Sequence, residues 1–225
     1  MSASAETTAI IAAAGSGERL GAGGPKALVP LAGRPMIEWS LRAARSARSV
    51  GPIVVAAPPG HEGDLAGGDL TVVTGGETRS ESVAAAMAGV DSELVAVHDA
   101  ARPLVTGDLF DALVDRLAGD PELGAVVAAA AVTDTIKQVA RGMEVDRTLD
   151  RSSLWAAQTP QVFRAEVLRE ALASTALLSQ ATDDAMLVER IGGRVLLHDA
   201  GGENLKVTTP HDLRVAELLL ADRGD

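Results

Sequence analysis

Short runs of consecutive apolar residues alternate along this chain with stretches in which apolar residues recur at helical spacing. Thr8-Ala9-Ile10-Ile11 reads as a first buried strand. Pro35 opens a predicted helix that runs to about Ala47, with Met36, Trp39 and Leu41 among its apolar positions. Ile53–Ala56, Leu70–Val73, Leu94–His98 and Ala125–Ala128 are further predicted strands. Between them lie predicted helices over Ser80–Val90, ending near Gly89, and over Leu109–Leu117. Near the carboxyl end, Thr182 is the predicted cap of a helix running through Ile191, stopped by Gly192-Gly193. Arg194–Leu197 then reads as a strand, and Thr209-Pro210 opens a last helix, Leu213–Leu220. Continuous apolar strands between helices predict an α/β fold: a Rossmann-like, mostly parallel sheet with helices on both faces, in one domain spanning 1–225.

The pattern changes over 133–158. Thr135–Val139 and Glu144–Leu149 alternate, and Arg141-Gly142-Met143 resembles a turn between them. The stretch has few apolar groups to give to the main core. It reads as a projecting β-hairpin arm suited to a dimer contact, an ordinary sheet-edge hairpin being the alternative.

In open α/β sheets, ligands bind outside the carboxyl ends of the strands. Three segments at such ends carry chemistry: 12–26, 75–82 and 98–103. The first is glycine-rich and holds Arg19 and Lys26, cations whose natural target is a polyphosphate. Gly15, Gly17 and Gly21 are spaced one residue too long for the dinucleotide fingerprint, and Lys26 follows Pro25 and precedes Ala27, unlike a P-loop lysine. The glycines alone leave open a plain loop with two solvated charges.

Composition narrows the field. The 225 residues are 47% hydrophobic and 23% charged, with two Phe, two Trp and no Tyr, so the core must be aliphatic. A net charge of −11 argues against nucleic-acid and anionic-membrane partners. An acidic chain that binds phosphates must concentrate its cations, and the only lysines are Lys26, Lys137 and Lys206, each two residues after a Gly, Thr or Asn in a loop or edge context. Without cysteine there is neither disulfide nor thiolate metal site. No signal-peptide pattern or membrane-length apolar run is seen, so the cytoplasm is the expected compartment. His61, His198 and His211 lack metal spacing, and His98 reads as the end of a buried strand that hydrogen-bonds locally.

Seven segments carry a family resemblance. They are Ala12–Gly17 with Arg19 and Pro25-Lys26; Gly75–Val83; Val97–Pro103; Asp134–Lys137; Asp150-Arg151 with Trp155 and Gln158–Gln161; Thr182–Asp184; and Asn204–Thr208. In this order they resemble the 2-C-methyl-D-erythritol 4-phosphate cytidylyltransferases, over nearly the whole chain. One departure is visible: Ala27 follows the lysine where the family often has glutamine.

The resemblance implies a nucleotidyltransferase-type fold and a reaction. The phosphate of methylerythritol phosphate attacks the α-phosphorus of CTP and pyrophosphate leaves, with no covalent enzyme intermediate. It implies that Arg19 and Lys26 hold the triphosphate and stabilise developing charge. It implies that Ala13, Ala14, Gly15, Gly17 and Ala100 line the nucleotide, and that Gly76, Glu77 and Ser82 read base and ribose. Asp99 is implied as the Mg²⁺ ligand, Arg151 and Lys206 as the groups that aim the acceptor phosphate, and Arg102, Thr135, Thr159 and Thr182 as acceptor-binding. Thr135 and Arg151 are implied to come from a partner's arm in a homodimer. Read as residues alone, Ser82 suits a hydroxyl bonded to its own helical turn, Asp99 a turn cap, and the threonines capping or strand positions. Ribitol 5-phosphate as acceptor, a dinucleotide oxidoreductase and a non-catalytic nucleotide-binding protein are the competing readings.

Overall fold

The computed structural model describes residues 6–15, 17, 20, 24–65, 67–173, 178 and 181–224. In chain order the strands are β1 (Thr7–Ala12), β2 (Pro30–Leu31), β3 (Arg34–Pro35), β4 (Val50–Ala57), β5 (Leu70–Thr74), β6 (Leu94–Asp99), β7 (Leu123–Ala131), β8 (Lys137–Val139), β9 (Val145–Thr148), β10 (Trp155–Arg164) and β11 (Arg194–Asp199). The helices are α1 (Met36–Ser46), α2 (Glu62–Leu65), α3 (Arg79–Met87), α4 (Gly107–Ala118), α5 (Ala165–Leu172), α6 (Asp184–Arg190) and α7 (Pro210–Arg223).

Seven strands form one sheet in the order β11-β7-β10-β6-β1-β4-β5. Parallel pairing joins β1 to β4 and β6, β4 to β5, and β7 to β11. Only β10 runs against its neighbours β6 and β7. The mostly parallel sheet is thus as expected, with one reversed strand that the apolar pattern does not reveal.

Alternation along β1 explains the layers. Ala9 and Ile11 face a core with Ile37 and Leu41 of α1 and Phe110 and Leu113 of α4. Ile10 faces the other side, with Val83 of α3, Leu168 of α5 and Leu187 of α6. Burial on both faces is why the central strands read as unbroken apolar runs. A third cluster seats α7 through Ala216 and Leu220 against Leu31, Trp39 and Val207. The start of α7 is as expected: Thr209 caps it in a reciprocal box with Asp212, and Pro210 is its first residue.

Two boundaries need correction. The cap of α6 is Asp183, whose carboxylate accepts from the Met186 N–H, and Thr182 stands exposed one residue earlier. The arm also ends sooner than 158. Trp155, Ala156 and Ala157 pair with Ala131, Ala130 and Ala129 in the main sheet, so the projecting hairpin is β8–β9, with Gly142 at φ 67° in its turn. Every residue of β8 and β9 is exposed.

Candidate active site

After β1 the chain crosses to β4 and β5 on one side, then returns to β6 on the other. That reversal leaves a crevice at the carboxyl ends of β1 and β6, where open α/β sheets place ligands. A cavity of about 430 Å³ lies there.

Three segments build its walls. Ala13, Ala14, Gly15 and Gly17 leave β1, and the loop folds back so that the Lys26 N–H donates to the Gly15 carbonyl at 3.2 Å. Gly17 is at φ 73°, and a Cβ there would stand 2.9 Å from the Lys26 Cβ, so glycine is required for the lysine to reach the cavity wall. The second wall is Gly76, Glu77, Thr78, Arg79 and Ser82. A Cβ on the neighbouring Gly75 would lie 2.5 Å from the Ala14 Cβ, so glycine lets the two walls approach. The Ser82 hydroxyl takes the Gly76 N–H at 3.1 Å and donates to the Thr78 carbonyl at 2.9 Å, so it shapes this wall while lining the cavity. Asp99, Ala100, Ala101, Lys206 and Thr208 form the third side.

The charged groups form a chain across the cavity. Asp99 ends β6, buried at 7% exposure. Its Oδ1 accepts from Arg79 Nε at 2.6 Å and its Oδ2 from Lys206 Nζ at 2.7 Å. Burial alone would push the Asp99 carboxyl up, but the Arg79 and Lys206 cations outweigh it and hold the group well below the usual carboxylate range. Arg79, the first residue of α3, also donates through Nη1 to Asp184 at the start of α6. Burial raises the Asp184 carboxyl despite that contact, and the same guanidinium thus touches both carboxylates. Lys206 comes from an irregular segment tied down by Val207 N–H to the Ala101 carbonyl at 2.8 Å and by Asn204, whose amide donates to the Thr159 carbonyl at 2.8 Å.

Asp99 is also fixed from behind. Its N–H donates to the Thr159 hydroxyl at 3.0 Å, and that hydroxyl lies 3.1 Å from His98 Nδ1. The other ring nitrogen, Nε2, is 3.2 Å from the Arg102 carbonyl, which can only accept. Nε2 therefore carries the proton, Nδ1 accepts, and Thr159 donates to it. Burial lowers the fully enclosed His98 to about 4, consistent with this neutral tautomer.

The structure thus brings Ala13, Ala14, Gly15, Gly17, Lys26, Gly76, Glu77, Ser82, Asp99, Ala100 and Lys206 to one cavity. Arg19 lies outside the described residues. Five implied acceptor contacts do not line the cavity. Thr159 is buried with its hydroxyl spent on Asp99 and His98. Arg102 spends its guanidinium on the Asn204 carbonyl at 2.8 Å and the Ala157 carbonyl at 3.4 Å, so it braces the Lys206 segment. Thr182 is exposed before α6. Thr135 and Arg151 are exposed near the arm, where Arg151 donates to the Thr133 carbonyl. Arg79 and Asp184 stand inside two of the seven segments, but 105 positions separate them, and only the fold reveals that they meet.

Comparison with known proteins agrees with this geometry. The family model described as IspD, 2-C-methyl-D-erythritol 4-phosphate cytidylyltransferase, matches residues 7–222. A protein of that name from Parasynechococcus marenigrum is 46% identical, the match covering 95% of this chain and 97% of that one. A crystal structure of such an enzyme from Thermus thermophilus superposes with a TM-score of 0.79 at 32% identity, covering 96% of this chain and 99% of the other. The 4-diphosphocytidyl-2C-methyl-D-erythritol synthase of Anaerococcus prevotii gives 0.82 at 28% identity, over 97% and 100%.

Proposed function

The chain belongs to the 2-C-methyl-D-erythritol 4-phosphate cytidylyltransferase family, and from that premise we propose that it transfers CMP from CTP to 2-C-methyl-D-erythritol 4-phosphate. The products are 4-diphosphocytidyl-2-C-methyl-D-erythritol and pyrophosphate, a step of the non-mevalonate route to isoprenoids. The observation that carries the reading is the cavity at the ends of β1 and β6 into which Lys26, Asp99 and Lys206 converge.

The chemistry asks for positioning and charge stabilisation rather than a nucleophilic side chain. An acceptor phosphate oxygen forms a bond to the α-phosphorus as the bond to the bridging oxygen of pyrophosphate breaks, in line. Lys26 and Arg19 hold the triphosphate and meet the charge that builds on the α-phosphoryl oxygens and the leaving group. The glycine-lined walls around Gly15 and Gly76 admit the nucleotide against backbone. Lys206 and Arg151 aim the acceptor phosphate.

The donor set suits a hard cation that arrives with the nucleotide. Among the described residues no group of three or more His, Cys, Asp or Glu could hold a metal, so the protein offers the Asp99 carboxylate, kept ionised, and the phosphates must supply other oxygens. Bound there, Mg²⁺ would offset negative charge on the transferring phosphoryl group.

A homodimer completes the site in this account. Thr135 and Arg151 do not line their own chain's cavity, and the hairpin region exposes Val139 (45%), Met143 (79%), Val145 (53%) and Trp155 (40%). A second copy would cover these apolar groups and receive the two polar ones. Among the described residues no helix is long and apolar enough to cross a membrane. Consumption of CTP and a small phosphorylated polyol makes the cytoplasm the natural compartment.

The test is Mg²⁺-dependent pyrophosphate release from CTP, with methylerythritol 4-phosphate or ribitol 5-phosphate as acceptor. Release with the former supports the proposal. Release with ribitol phosphate alone, or with neither, overturns it.

A further inference from the structure

Asp99 can meet a cation in one geometry only if its carboxylate is held at one angle. A carboxylate torsion is broad and two-fold, so a single contact leaves the plane free to rotate. Here the two oxygens are gripped from different sides, Oδ1 by Arg79 and Oδ2 by Lys206. Lys206 is also needed by the acceptor, so Arg79 is the grip that can persist through the reaction.

Arg79 is itself held in an unusual way. A guanidinium facing one carboxylate commonly binds it with two parallel bonds. Arg79 instead splits its donors, giving Nε to Asp99 and Nη1 to Asp184. Asp184 is 0% exposed, and its segment is fixed by Gln161 of β10. The Gln161 amide donates to Asp183 Oδ2 at 2.9 Å, and its Oε1 accepts from the Ala185 N–H at 3.3 Å. Rigid contacts therefore run from Gln161 through α6 and Asp184 to Arg79, and from Arg79 to Asp99. Arg79 and Lys206 thus bring two cations against the two carboxylates.

We infer that Arg79 and Asp184 are positioning residues: Asp184 anchors the Arg79 guanidinium, and Arg79 orients the Asp99 carboxylate toward the metal–nucleotide. Asp184 is absent from the cavity wall, so it acts through Arg79 and not by touching substrate. This rests on the reading of Asp99 as the carboxylate that meets the cation.

The test is CTP binding by calorimetry in Mg²⁺ and again in EDTA, for the wild type, Asp184→Asn and Arg79→Lys. Thermal scans accompany each protein, and the milder Arg79→Lys keeps the experiment decisive if Asp184→Asn does not fold. The expected result is that Mg²⁺ strengthens CTP binding to the wild type. In the variants this strengthening falls by about 10-fold, the scale for losing an outer-shell partner of a metal ligand. Affinity in EDTA stays the same. Variants that keep the full Mg²⁺ effect overturn the inference, as do variants whose affinities fall equally with and without Mg²⁺, which would mark a merely structural role. A wild type with no Mg²⁺ effect overturns both the inference and the reading of Asp99 beneath it.

Discussion

Thr159→Val separates two roles for one side chain. The family resemblance makes Thr159 an acceptor contact; the structure commits its hydroxyl to the Asp99 N–H at 3.0 Å and His98 Nδ1 at 3.1 Å. Valine keeps the branched shape and removes both bonds. Asp99 and His98 are 7% and 0% exposed, so water does not take the vacated places. Each orphaned buried group costs about 1–3 kcal/mol. The added methyl returns about 1 kcal/mol of apolar burial. The net loss is about 3 kcal/mol, and a chain of this size loses about 2–4 °C per kcal/mol, giving a melting point lower by about 6–12 °C. Thr159→Ser keeps the hydroxyl and most of the stability. The assay pairs thermal and urea unfolding with steady-state kinetics against methylerythritol phosphate. We expect the acceptor KM to move by less than about twofold for folded enzyme. A Thr159→Val protein of unchanged stability whose acceptor KM rises tenfold or more would refute the reasoning and restore the hydroxyl to the acceptor.

Lys26→Ala is expected to lower kcat by about 10²–10³-fold, the scale for one transition-state donor, as read by pyrophosphate release; a loss below about tenfold would remove Lys26 from that role. Arg151→Ala is expected to spare CTP binding, measured by calorimetry, while raising the acceptor KM. If Arg151 reaches the partner's cavity, mixing Lys26→Ala and Arg151→Ala proteins restores about a quarter of wild-type activity, because half of randomly re-formed dimers carry one intact site of two; no recovery on mixing, with subunit exchange shown, would place Arg151 in its own chain's site. Protonation of His98 sets an acid limit to stability. Burial lowers its pKa from 6.5 to about 4, so as pH falls through that window the unfolded chain gains a proton the folded one refuses. Stability should drop by about 2 kcal/mol between pH 7 and 4.5 in urea titrations, and a His98→Asn protein that loses as much would contradict the assignment.

The parts of the fold legible in the sequence are those where one physical rule dominates. Strands buried on both faces leave unbroken apolar runs, so Ile10-Ile11 and Leu94–Val97 are readable. The start of α7 is readable from Thr209-Pro210, since cap and first-turn chemistry agree. The ten residues of β10 are not. Gln158-Thr159-Pro160 interrupts the apolar pattern, and the reverse direction of the strand leaves no local mark. The helix Ala165–Leu172 follows β10 directly, and no local signal separates it from the strand before it. In the site, Lys26 and the glycine walls are legible because glycine and cation placement at a strand end is a local signal, whereas Asp99, which alone reads as a turn cap, is reached only through the family resemblance. Thr182 and Asp183 have similar capping power, and only backbone geometry decides that Asp183 caps α6. The Arg79–Asp184 contact and the inward turn of Thr159 depend on which strands become neighbours, and motif order says nothing about that.

Cytidylyl transfer itself can be followed by a label. Single-turnover reaction of the wild type with CTP labelled at the α-phosphorus, Mg²⁺ and methylerythritol 4-phosphate should move the label into an organic diphosphate ester, with unlabelled pyrophosphate formed in equal amount. Label that remains in CTP, or appears as free CMP, in folded protein would contradict the assignment of this chain as a cytidylyltransferase.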